Sequence, residues 1–180
     1  LAEVLMQTFH ANMLGLAHEA GTLELFFTKI AQLHKNETEK RAFLNTIGPS
    51  GQTPIYWATS MGYGVEVSCL LTNSADPDIP VPDTGYTCVL LATVENKLDI
   101  LERLLEHKAN LEVDDAEGSS ALCWAIRKEH WEALGSLLRG GAEVNRVGKD
   151  GLTALNWGAI SNSSRGCQLL IEGGADVNKR

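Results

Sequence analysis

The chain has 180 residues, 44% of them hydrophobic and 21% charged, and its formal net charge is -8. Such acidity argues against nucleic acid as a partner, because the phosphate backbone is held by Lys and Arg. No apolar run reaches the length of a membrane-spanning helix and no secretory signal pattern opens the chain, so a location inside the cell, in cytoplasm or nucleus, is expected, with no membrane contact.

Residues 1–50 read as an amphipathic helix, with Leu1, Val4, Leu5 and Phe9 on one stripe, followed by a degenerate first copy of a unit written more clearly further on. In that copy Ala17, Gly21 and Ile30 stand where Ala58, Gly62 and Leu71 stand later. Ala42-Phe43-Leu44-Asn45 is a worn form of Ala175-Asp176-Val177-Asn178. The polar excess Gln32 to Arg41 is expected to lengthen a helix or to form a surface loop.

From Gly51 onward one sentence recurs with a period of 33 or 34 residues. Gly51, Gly85, Gly118 and Gly151 share a column, as do Thr53, Thr87, Ser120 and Thr153, and so do Leu70, Leu104, Leu137 and Leu170. Internal repetition at this period means a stack of like units rather than one globular core. The glycines follow turn-type residues and suit positive φ at a tip. The hydroxyl residues precede apolar runs, where their oxygens can cap a helix, and Pro54 sits where a missing N–H costs nothing. Ala58, Ala92, Ala125 and Gly158 are small, as a close helix neighbour requires. A second apolar stripe, Leu70-Leu71 and its equivalents, predicts a second helix ending near Asn73, His107, Gly140 and Gly173, residue types that suit a left-handed cap. The divisions are 51–84, 85–117, 118–150 and 151–180. The unit at 51–84 has a linker with three prolines and one extra residue, expected to be stiff and extended. In the last unit Ser163, Ser164 and Gly166 weaken the second helix, which is expected to fray unless further units follow.

Thr53-Pro54-Ile55-Tyr56-Trp57-Ala58 and Gly174-Ala175-Asp176-Val177-Asn178 resemble the ankyrin repeat, G-x-T-P-L-H-x-A-A followed by L-L-x-x-G-A-D-V-N. The resemblance spans almost the whole chain. It implies an all-α solenoid of about five stacked helix-turn-helix units with hairpin-like turns, and a scaffold that binds proteins. Because the chain starts with Leu1 and stops inside a linker, it reads as a piece of a longer protein.

No catalytic motif, cofactor loop or metal-ligand spacing emerges, so neither an enzyme nor a cofactor or metal site is expected. The four cysteines occupy four different columns, and units about 10 Å apart exceed the roughly 7 Å reach of a disulfide, so free thiols are expected. Trp57, Trp124 and Trp157 share a column with Leu91 and are assigned to packing. A cage for methylated lysine would need a second aromatic five residues earlier and an acid one turn later, and Ser119 and Arg127, or Leu152 and Ile160, stand there instead.

The acidity is local. Between Asp76 and Glu117 eleven acids face three bases. Asp83, Asp115, Glu117 and Asp150 fall at successive tips and are expected to line one exposed edge that attracts a basic protein or peptide. In the resembled family the tips and the outward side of the first helix bind partners, which adds Tyr86, Glu95, Arg127, Lys128, Leu152 and Ile160. A monomer is expected. Two other readings compete: a targeting or regulatory arm of a larger enzyme or channel, and a methyl-lysine reader.

Overall fold

Thr53, Thr87, Ser120 and Thr153 all adopt extended backbone and accept, through the side-chain oxygen, from the amides of Tyr56, Leu90, Cys123 and Asn156. Each thereby starts a helix. In the computed structural model, which describes residues 37–48, 50–149 and 151–179, the elements are α1 (Glu37–Leu44), α2 (Pro54–Met61), α3 (Gly64–Thr72), α4 (Cys88–Val94), α5 (Leu98–Glu106), α6 (Ala121–Arg127), α7 (Trp131–Arg139), α8 (Ala154–Ile160) and α9 (Ser164–Glu172). The predicted helix at residues 1–9 and most of the first unit lie outside the described residues.

Helices pair in sequence, α2 with α3 and so on to α8 with α9. The pairs then stack: α2, α4, α6 and α8 form one layer, and α3, α5, α7 and α9 the other. Ala58, Ala92 and Ala125 are fully buried between neighbours, and so are Leu70, Leu104, Leu137 and Leu170. Among the described residues the only β pairing is an isolated bridge between Val147 and Thr153.

The tip glycines carry the expected positive φ, between 71° and 89° at Gly51, Gly85, Gly118 and Gly151. At Gly85 a Cβ would also meet the backbone of Ala116 at 2.5 Å, because Ala116 N donates to Thr84 O and draws adjacent tips together. The linkers are stitched by one repeated hydrogen bond. Asn45, Asp78, Glu112 and Asn145 each accept, through a side-chain oxygen, from the backbone of the next unit at Asp76, Asn110, Glu143 and Asp176, at 2.7 to 2.9 Å. Asn45 thus shares the register of Asn145, although Ala42, Phe43 and Leu44 are the last turn of α1 rather than a linker.

Three expectations change. The left-handed residue at the end of each second helix lies one position beyond Asn73, His107, Gly140 and Gly173, at Ser74, Lys108, Gly141 and Gly174. Glycine at 140 and 173 serves close approach instead: a Cβ there would lie 2.7 Å from Leu105 and 3.0 Å from Leu138 of the preceding units. The proline-bearing linker turns at Pro77-Asp78 and again at 82–84, where the tip closes from Tyr86 O back to Val81 N. Finally, α9 forms over nine residues, as α3, α5 and α7 do. Ser163 there accepts from Gly166 N and caps the helix, while Ile171 remains 50% exposed.

Candidate partner-binding surface

The turn that joins the unit of α4 and α5 to that of α6 and α7 is organised by a carboxylate. Asp115 Oδ1 accepts from Glu117 N at 3.0 Å and Ser119 N at 2.8 Å, and Asp115 Oδ2 accepts from the Trp124 indole Nε1 at 2.8 Å. Asp115 is 2% exposed. The expectation that it forms part of an exposed acidic edge is therefore corrected: its oxygens satisfy N–H groups that the tight tip would otherwise leave buried and unpaired.

Held in this way, the Trp124 ring becomes the centre of a cluster. Tyr86, from the preceding tip, meets it edge to face at 6.0 Å between centroids. On the other side the Arg127 guanidinium lies 4.4 Å from the Trp124 centroid and 5.4 Å from that of Trp157, while Lys128 Nζ stands 5.8 Å from Trp124. Burial, with Asp115 and Glu117 close by, pushes the Tyr86 phenol above its ordinary range, and Arg127 opposes that shift.

Trp57 and Leu91 are buried, as packing requires. Trp124 and Trp157 are only partly so, and they join a surface.

Of the candidate residues, Tyr86, Glu117, Arg127 and Lys128 gather around this cluster. Ile160, 63% exposed, sits at the end of α8, and Leu152 is half-buried where its carbonyl accepts from Gly148 N. Asp83 is exposed on the enlarged tip. Glu95 is exposed and paired with Lys97. Asp150 lies outside the described residues. The aromatic partner of Trp124 was missed in sequence because it precedes it by one period plus five residues: Tyr86 occupies in its unit the column that Ser119 holds in the next. The cation slot against Trp124 is filled by Arg127 of the chain itself.

Much of the local acidity is structural. Asp76 and Asp78 accept linker amides. Asp114 takes a bidentate pair from Arg146, with Glu112 alongside, and this pairing holds the Arg146 guanidinium above its ordinary pKa. Of the acids between Asp76 and Glu117, Asp83, Asp99, Glu102, Glu106 and Glu117 are exposed and form no ion pair with the described residues. On the opposite layer a shallow groove of about 430 Å³ runs over Leu98, Trp131 and Leu169, with Glu102, Glu132, Arg139 and Arg165 on its rim.

Stacked helix pairs with turns projecting from one edge, and a part-exposed aromatic and cationic cluster beside them, define a helical-repeat solenoid of the protein-interaction class. The chain belongs to the ankyrin-repeat family: the family model for ankyrin repeats in three copies matches residues 14–115 and 90–180. An ankyrin repeat protein of Rickettsia felis is 34% identical over 97 residues, 53% of this chain and 32% of that protein. Palmitoyltransferase AKR1 of Lachancea kluyveri is 29% identical over 108 residues, 58% of this chain and 14% of that protein. The chain thus spans a third or less of these curated relatives. The ankyrin repeat domain of Bcl-3, described as a unique member of the IkappaB protein family, superposes with a TM-score of 0.72 at 26% identity, covering 84% of this chain and 69% of that one. Ankyrin repeats are in general protein-interaction modules. No helix among the described residues is long and apolar enough to cross a membrane.

Proposed function

We propose that the chain binds a segment of another protein across the tips and the exposed ends of α4, α6 and α8, with Tyr86, Trp124, Arg127, Trp157, Leu152 and Ile160 as the floor. The observation that carries this reading is the Tyr86–Trp124–Arg127–Trp157 cluster. Rigid aromatic rings supply large contact area at low entropic cost, and Trp, Tyr and Arg are the residue types that dominate interface energetics. Asp83 and Glu117, the exposed acids at successive tips, steer basic residues of the same partner toward this floor and act mainly on association rate.

The test is capture from lysate by the intact chain against a Tyr86→Ala, Ile160→Ser variant and an Asp83→Lys, Glu117→Lys variant. The first substitutions should abolish capture of a specific partner. The second should slow its association and flatten the salt dependence. Retention of the same partner by both variants would place the interface elsewhere.

A second reading follows from the relatives' lengths. One curated relative is an enzyme of which the matched repeats are a small part. The repeats would then act as the recognition arm of a longer chain, and sequencing the flanking coding region distinguishes the two. The methyl-lysine reading finds no support, since Arg127 occupies the ring face that an incoming cation would need.

A further inference from the structure

The charge of the cluster runs against the charge of the chain. Although the net charge is -8, α6 ends on Arg127 and is followed by Lys128, both exposed. Neither takes part in an ion pair with the described residues. The buried carboxylate of Asp115 accepts instead from the N–H groups of Glu117, Ser119 and Trp124 and forms no ion pair with either cation. Glu95, one unit earlier, is held by Lys97.

Arg127 is also fixed in a particular attitude. Its guanidinium lies against Trp124 and within reach of Trp157. A guanidinium carries five N–H donors, more than contact with a ring can occupy, so donors remain available to an acceptor. The ring contacts also remove part of the rotamer freedom that an arginine would otherwise lose on binding. The result is a pre-positioned fork with no acceptor among the described residues, and the geometry that complements it is a carboxylate taken bidentately.

We infer that Arg127, braced by Trp124 and Trp157 and assisted by Lys128, is a carboxylate-binding subsite that receives an Asp or Glu side chain of a partner segment, with an adjacent apolar side chain landing on Ile160. The inference rests on the reading that this face takes a partner segment and gives that segment its chemistry. An acid sits between the cations and a large aliphatic residue lies beside it, while any basic residues fall toward Asp83 and Glu117. Ile160 is 63% exposed one unit further on, where Arg127 already bridges toward Trp157.

The test uses three capped peptides, acetyl-Gly-Leu-Glu-Leu-Gly-amide and its Gln and phosphoserine counterparts, titrated into the isotope-labelled chain. The readout is the resonances of the Arg127 Nε–H, the Trp124 and Trp157 indole N–H groups and the Ile160 methyls. The Glu peptide should shift all of these saturably. The Gln peptide should bind at least about fivefold more weakly, as expected when a charge-assisted pair is lost. Arg127→Lys, which keeps the charge and loses the fork, should reduce the difference between Glu and Gln. Because Arg127 is exposed, that variant is expected to keep the circular dichroism spectrum of the parent. Equal binding of Glu and Gln peptides at the same resonances would overturn the carboxylate subsite and leave the docking face standing. Tighter binding of the phosphoserine peptide than of the Glu peptide would overturn it in favour of a phosphate site. Shifts from none of the three would overturn both the subsite and the face.

Discussion

Replacing Asp115 by Asn tests whether the tip between the two central units is built on a buried carboxylate or merely carries an acidic residue. The substitution is nearly isosteric and removes one charge. In the parent the carboxylate accepts three N–H groups, two backbone and one indole, at 2.8 to 3.0 Å. Asparagine keeps one acceptor oxygen. With that oxygen toward Glu117 N and Ser119 N, its own NH2 confronts the Trp124 indole N–H, and the flipped amide confronts the two backbone donors instead. One charge-assisted hydrogen bond is lost, at about 1.5–3 kcal/mol, and a donor is left unpaired in a site that is 2% exposed. The expected destabilisation is about 2–3 kcal/mol by urea unfolding. The midpoint of thermal unfolding should fall by about 5–10 °C for a chain of this length. The Trp124 indole N–H resonance should move upfield as its acceptor is lost. Glu117→Lys, two residues along the same tip but exposed, should stay within about 0.5 kcal/mol of the parent. If Asp115→Asn unfolds within about 0.5 kcal/mol of the parent, the carboxylate is not the organiser of this tip. Reversing Asp115 and Glu117 together, as an exposed edge would invite, would therefore damage the fold and could not report on partner charge.

Further outcomes follow from the same geometry. Gly85→Ala should cost at least about 2 kcal/mol, more than Gly151→Ala at roughly 1 kcal/mol, since both have positive φ but only the first meets backbone; equal unfolding midpoints would refute the close approach at Ala116. Gly118→Val should cost at least about 1 kcal/mol for a β-branched residue at φ 89°, read by thermal melting. Asn145→Ala removes the acceptor of Asp176 N and a donor to Gly174 O, so amide exchange at Asp176 should accelerate several-fold, by about 1 kcal/mol, with little change at Leu104. Burial pushes the Cys88 thiol from its ordinary 9.0 up to about 12, and the Tyr56 phenol from 10.0 up to about 12. The unfolded chain gives up these protons first, so their contribution to stability is complete below about pH 9 and declines as pH rises toward 12; a urea midpoint that does not fall between pH 8.5 and 10.5 would contradict this.

The repeat was legible because it is written in local chemistry. Thr53, Thr87, Ser120 and Thr153 cap helices through contacts three residues away, and the tip glycines answer to their own φ, so a single unit suffices to read them. The period multiplied that signal, and with it came the layer order and the buried Leu70, Leu104, Leu137 and Leu170. The surface was decided by the stack. Whether Asp115 faces water or caps a tip depends on Trp124, which reaches it from α6 nine residues further on, once the tip has folded the chain over. Whether Trp124 is core or surface depends on Tyr86 of the unit before and Arg127 beside it. Gly140 and Gly173 look like left-handed caps from their residue type, but the packing of Leu105 and Leu138 from neighbouring units accounts for them. Sequence alone determined which residues repeat and therefore the fold, since caps and turns act over three or four residues. Tertiary structure decided which charges are spent inside the molecule and which remain for a partner, because that accounting runs between units some 31 to 38 residues apart.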